Sequence, residues 1–243
     1  MAILRIKYHI MPQDVDFAQQ QTLTALGNCL LDAACQSATS FGFGIEAFTR
    51  RRLSWVLSRL HLEMVRYARV NDDIEIETWP RDCNRLASAR YFRIFDHAGS
   101  LIGEATSLWS VLDYDTRHPI NLLEQVDLRP FCTEQEVAAA APKRIDELHT
   151  APLATHTVRY SDIDFNAHTN SMKYIQWMLD TLDLAQFDGQ HVATFDINYV
   201  REARFGETVN ILRADTAEGY HFDLKSAAEQ SFCKAKFAFA PNQ

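Results

Sequence analysis

Apolar and polar residues alternate along "LHLEMV", where Leu60, Leu62 and Met64 face one way and His61 and Glu63 the other. A period of two is the pattern of a half-buried strand. Residues 3–9 alternate in the same way, and "IEIETW" sets Ile74, Ile76 and Thr78 against acidic neighbours. "ARYFRIF" and "LIGEATSLWSVL" flank the turn residues "DHAGS" and predict a hairpin. Between the first strand and these runs the period changes. From about Gln20 to Ser37, Leu23, Leu26, Leu30 and Ala33/Ala34 recur at helical spacing.

The same order is then written again. "THTVRY" predicts a strand, a polar loop follows, and a helix is predicted from about Ser171 to Leu184. Met172, Ile175, Met178/Leu179 and Leu182 form its apolar face, with Asn170 or Thr169 as N-cap. Four strands close the chain: "VATFDINYV", "TVNILRAD", "YHFDLKSA" and "SFCKAKFAFA". One apolar helix beside a meander of strands, used twice, is an α+β pattern. The halves run over 1–133 and 151–243. Between them, 134–150 is Ala-rich, then charged, with Pro142, and reads as a linker with at most one helical turn.

Composition narrows the classes. The 243 residues are ample for a buried core. The net charge of -8 argues against non-specific nucleic-acid binding. An acidic partner needs a local basic patch, for which Arg50–Arg52, Lys173, Arg201 and Arg204 are candidates. No apolar run approaches the roughly 18 residues of a membrane helix. Five cysteines without a C-x-x-C pair, and no signal peptide, lead us to expect a reduced, cytoplasmic protein. Nine histidines stand in no zinc spacing, so neither metal nor cofactor is expected.

The candidate chemistry lies where the two halves differ. "MPQDVDFAQQQ" and "YSDIDFNAHTN" share an Asp-x-Asp-Phe frame, at Asp14/Asp16 and Asp162/Asp164. Aligning them sets Asn166 and His168 against Ala18 and Gln20. A second alignment, "YARVNDDIEI" on "EARFGETVNI", sets Glu202 against Tyr67. One half thus carries reactive side chains where the other carries inert ones. Alternate residues of an extended loop project to one side, so Asp164, Asn166 and His168 can reach one spot. A carboxylate can take a proton from water, an amide can hold that water, and a histidine can pass a proton near neutrality. The elbow G-x-S-x-G is absent, which points to direct attack by water or to proton transfer alone. Each residue also has a plain reading: Asp162 and Asp164 as loop or capping acids, His168 as a structural histidine, Glu202 as an ion-paired surface acid beside Arg201 and Arg204.

"LSWVLSRLHLEMVRYARVNDDIEIETW", "GEATSLWSVLDYDTRHPINL" and "YSDIDFNAHTNSMKYIQWMLD" together resemble the acyl-ACP thioesterase family over nearly the whole chain. The last is similar to the family's Asp-x-Asp-x-Asn-x-His-x-x-Asn-x-x-Tyr signature, with Asn170 one place earlier than that spacing. The resemblance implies a double hotdog fold, two tandem repeats each with a long central helix wrapped by an antiparallel sheet. It implies hydrolysis of fatty acyl thioesters on acyl carrier protein. It carries catalytic roles onto Asp164, Asn166, His168 and Glu202. Glu202 would activate water that Asn166 helps to place. His168, oriented by Asp164, would protonate the leaving thiolate. Backbone amides at Thr169–Met172 would polarise the carbonyl, and Trp55, Leu57, Leu60 and Met64 would hold the acyl chain. Many plant members place a cysteine directly after the strand glutamate; here that position is Ala203, which favours water over a thiol nucleophile.

Three other readings stand beside this one. The substrate could be acyl-CoA, which shares the pantetheine arm. The chain could be an enoyl-thioester hydratase on the same fold, although that spacing is usually Asp-x-Asn-Pro-x-His and leaves Glu202 without a task. It could be a non-catalytic acyl-binding module, indifferent to changes at Glu202 or Asn166. A homodimer through sheet edges is also an expectation of the fold.

Overall fold

A computed structural model describes residues 3–242, and the chain divides into two compact units, 1–142 and 143–243. The division falls inside the predicted linker. The first unit runs β1 (Leu4–His9), α1 (Leu23–Ser40), α2 (Ile45–Arg50), β2 (Leu53–Met64), β3 (Asp73–Cys83), β4 (Ser88–Asp96), β5 (Leu101–Asp113) and α3 (Leu122–Gln125). Its antiparallel strands lie in the order β1-β3-β4-β5-β2. The second runs β6 (Ala154–Thr157), α4 (Ser171–Leu179), β7 (Gln190–Tyr199), β8 (Thr208–Thr216), β9 (Gly219–Lys225) and β10 (Ser231–Pro241), ordered β7-β10-β9-β8-β6. Strand, loop, helix and four strands recur as the periodicity predicts.

Helix α1 is fixed by its stripe. Leu23, Leu26, Leu30 and Ala33 are buried, and each buried leucine contributes about 1.5–3 kcal/mol over its exposed state. Thr22 caps it by accepting from Ala25 N at 3.1 Å. Helix α4 is shorter than predicted: it stops at Leu179, not Leu184. The apolar spacing does continue to Leu182, but Asp183 accepts from Ala185 N and starts a separate 3₁₀ turn at Leu184–Phe187. Local capping overrides the periodicity there. The short helices α2 and α3 carry too few residues for a periodic signal, and escape it.

The connecting stretch has no helical turn and is tied down at each end. In the first unit, buried Glu104 accepts from Ala138 N and Ala139 N, and Trp79 Nε1 donates to Gln135 O. In the second, Asn198 accepts from Ile145 N, while Asp223 and Lys225 bond Leu148 N and O. Its backbone thereby pairs polar side chains that the sheets bury. Trp55, Leu57, Leu60 and Met64, expected to hold an acyl chain, belong to the first unit's own packing. The last three are buried, and Trp55 stacks on Phe48 at 5.0 Å. Among the described residues no helix is long and apolar enough to cross a membrane.

Candidate functional site

The two Asp-x-Asp loops are the same structure. Tyr8 pairs with Ile74 and His156 with Val209, so the repeat alignment read from sequence is the register of both sheets. Asp14 accepts from Met11 N at 2.9 Å, and Asp162 from Arg159 N at 2.8 Å. Asp16 accepts from Ala18 N and Gln20 N; Asp164 accepts from Asn166 N (2.8 Å) and His168 N (3.3 Å). Gln19 and Ala167, at matching places, both take a left-handed backbone, φ 60° and 62°. That conformation is uncommon outside glycine, and the turn holds it with amide bonds to Asp16 O and Asp164 O.

On this shared frame the second unit places its reactive groups. His168 Nε2 lies 3.4 Å from Glu202 Oε2. Both side chains are half-buried, at 18% and 35% exposure, so the pair is held by protein yet open to a ligand. Asn166 stands two residues before His168, on the arc drawn in by Asp164. Glu202 reaches the loop because Thr169 N and Oγ1 both bond Ala203 O. In the first unit, Gln21 N bonds Ala68 O in the same way, but Gln20 and buried Tyr67 occupy the reactive positions.

Two assignments change with the geometry. His168 was expected to be oriented by Asp164. Asp164 instead bonds its backbone, and the carboxylate beside the imidazole is Glu202, thirty-four positions on. The four amides of Thr169–Met172 were expected to polarise a carbonyl, and the geometry narrows that set to Ser171. Those of Thr169, Asn170 and Met172 are already spent on Ala203 O, Asp162 O and the Asn170 side chain. Arg201 lies 3.8 Å from Glu207 and over the ring of Phe232.

Sequence reasoning gave His156 no role. Its Nε2 lies 2.9 Å from Asp162 and its ring stacks on Trp177 at 4.2 Å, beneath the loop. Burial alone raises the Asp162 carboxyl, but the bonds from His156 and Arg159 N outweigh it and bring it below the usual range. The signal was present as the polar face of a strand, but nothing in the sequence marks its partner. The second unit's single cysteine, Cys233, is buried in β10 with its thiol pushed up by burial, so it offers no nucleophile. Among the described residues no cluster of three or more His, Cys, Asp or Glu could hold a metal ion. What the geometry brings together is a carboxylate and an imidazole at one half-open spot, with Asn166 two residues away along the same loop, and such a pair is suited to moving a proton to and from water.

Known proteins resemble this chain along most of its length. Residues 2–127 match the family model for the acyl-ACP thioesterase N-terminal domain, and 146–241 that for its C-terminal domain. Oleoyl-acyl carrier protein thioesterase 2 of Arabidopsis thaliana chloroplasts is 28% identical over 224 residues, 85% of this chain and 61% of the relative. The chloroplastic dodecanoyl-[acyl-carrier-protein] hydrolase of Cinnamomum camphora is 26% identical, over 86% of this chain and 59% of its own. The chain therefore spans about three-fifths of these curated relatives. An acyl-ACP thioesterase structure from Bacteroides thetaiotaomicron superposes with a TM-score of 0.92 at 31% identity, covering 98% of both chains. The 12:0-ACP thioesterase of Umbellularia californica shares the fold, with a TM-score of 0.87 at 23% identity over 99% of this chain and 98% of that one.

Proposed function

The chain belongs to the acyl-ACP thioesterase family, and from that premise we propose that it hydrolyses fatty acyl thioesters of acyl carrier protein at His168, Glu202 and Asn166. The observation that carries the proposal is the 3.4 Å approach of His168 Nε2 to Glu202 Oε2 in the unit whose counterpart has Gln20 and Tyr67. Glu202 takes a proton from water as its oxygen bonds to the thioester carbonyl carbon. Asn166 holds that water or the oxygen on which charge develops. The tetrahedral centre collapses, the carbon–sulfur bond breaks, His168 gives its proton to the leaving phosphopantetheine thiolate, and Glu202 passes the proton taken from water across to His168, which restores both groups. The products are a free fatty acid and the carrier thiol. Asp164 serves as a positioning residue that draws Asn166 and His168 onto one arc.

The protein part of the substrate is acidic, and the basic residues near the loop suit it. Arg201, Arg204 and Lys173 flank the site in sequence. Arg50 and Arg52 serve less well, since Glu46 and Asp115 already pair them. Exposed Phe165 and Phe205 stand on the same two loops. The free thiols accord with a reduced, cytoplasmic setting, and a homodimer is the assembly this fold leads us to expect.

The rivals separate in one assay. Acyl-ACP, acyl-CoA and enoyl-CoA are offered in turn, and acid and hydrated product are read by mass. Acid from acyl-ACP at the highest kcat/KM supports the proposal. Acid from acyl-CoA alone changes the substrate, hydration without acid makes the chain a hydratase, and no product makes it a binder.

A further inference from the structure

A buried phenol stands behind the reactive pair. Tyr174, in the first turn of α4, is 2% exposed, and its hydroxyl oxygen accepts from Ala203 N at 2.8 Å. Thr169 Oγ1 donates to Ala203 O at 2.8 Å, and the two hydroxyls also interact with each other. Thr169 accepts through its remaining lone pairs while Tyr174 still has a proton to give, so the three residues can close a ring with each polar group satisfied. Thr169 follows His168, and Ala203 follows Glu202. The ring therefore grips the backbone one residue from each member of the pair.

The first unit shows what the ring adds. There backbone bonds make the crossing, Gln21 N to Ala68 O at 2.8 Å and Val70 N to Gln19 O at 3.1 Å. Leu26 stands where Tyr174 does, and Gln21 where Thr169 does. Backbone bonds thus suffice there to hold the loop against the strand end. The two hydroxyls occur in the unit that carries His168 and Glu202. A role in packing alone is met by the ring of Tyr174, which lies 5.2 Å from Trp177 and 6.1 Å from Tyr199 and which phenylalanine would keep.

We propose that Tyr174 and Thr169 are positioning residues whose hydroxyls, through both backbone groups of Ala203, set the separation of Glu202 from His168. Removing either hydroxyl lets the strand end shift against the loop, and a misplacement of about 1 Å can cost about 10²-fold in rate.

The test reads the pair directly. The His168 Nε2 nitrogen resonance is followed at one fixed pH in ¹⁵N-histidine-labelled protein. The variants are Glu202→Gln, Tyr174→Phe, Thr169→Val, Thr169→Ser and Tyr199→Phe. Tyr199 is a matched control, a buried phenol that donates to Ser171 O at 2.9 Å instead. Glu202→Gln is expected to move the resonance. Tyr174→Phe and Thr169→Val are expected to move it the same way, Thr169→Ser to restore it, and Tyr199→Phe to leave it in place. In turnover, Tyr174→Phe should lower kcat about 10–100-fold with KM within about threefold, as expected of lost positioning. The proposal fails if Glu202→Gln moves the signal while Tyr174→Phe and Thr169→Val do not. It fails too if Tyr199→Phe moves it equally, or if Glu202→Gln leaves it unmoved. The rate arm rests on the hydrolase reading; a chain with no thioester hydrolysis would end that reading, and the resonance would still decide this one.

Discussion

Asp16 and Asp164 perform one task in two places: each carboxylate accepts the backbone amides two and four residues ahead. The repeated Asp-x-Asp-Phe frame is therefore architecture, and the chemistry is what one copy added to it. Bonds from amides to a charged group contribute about 1.5–3 kcal/mol each. Replacing either aspartate by alanine should lower the denaturant midpoint by a similar amount. Only Asp164→Ala should also lower kcat, by roughly 10–100-fold through misplaced Asn166 and His168. Equal loss of activity in both variants, at equal folded fraction, would contradict a division between frame and site.

Asp162 should make stability depend on acid. Its carboxyl sits below the usual range despite burial, because His156 and Arg159 N bond the charged form. A depressed folded pKa contributes stability above the unfolded carboxylate value of about 4, and that contribution is lost as pH falls through the lowered value. Urea midpoints of wild type and Asp162→Asn should therefore differ most near neutrality and converge below about pH 4. A difference that stays constant down to strong acid would show that the charge is not responsible.

Asp223 and Lys225 are a buried pair, 0% and 2% exposed at 3.8 Å, and both bond the backbone of Leu148. Removing Asp223 leaves buried Lys225 with only Leu148 O and the exposed Glu229, 3.9 Å away. Asp223→Ala should cost about 3–5 kcal/mol, measured by chemical denaturation. A loss under about 1 kcal/mol, the range of surface pairs, would mean that the connecting stretch is not anchored as described.

Arg204 and Lys173 should matter for the carrier and not for the thioester. Arg204→Glu or Lys173→Glu is expected to raise KM for acyl-ACP about 3–10-fold at low salt, with the effect fading as salt rises. Acyl-CoA turnover should change little. Equal loss with both substrates would place these side chains in catalysis or folding.

Much of this was legible in the sequence, for particular reasons. The repeat showed because alternation and helical spacing recur in one order, and the paired registers at Tyr8–Ile74 and His156–Val209 agree with it. Glu202 was found by alignment against Tyr67, not by any local motif. What escaped was set by bonds between distant residues. His168 meets Glu202 rather than its neighbour Asp164 because the strand end is drawn to Thr169. Three of the four amides at the helix start, those of Thr169, Asn170 and Met172, are taken by the loop and its cap. Tyr174 closed the quoted family signature with no role given to it; only its contact with Ala203 N gives it a task.

The most direct test of the central claim is fatty acid released from acyl-ACP by wild type, Glu202→Gln and Asn166→Ala. Mass detection of the acid is needed, since five free cysteines would react with a thiol dye. The account predicts release by wild type and a fall of about 10²–10⁴-fold in Glu202→Gln, the loss expected of a general base. Asn166→Ala should fall comparably. Release that persists in both folded variants would contradict it, and would place the chemistry away from the His168–Glu202 pair.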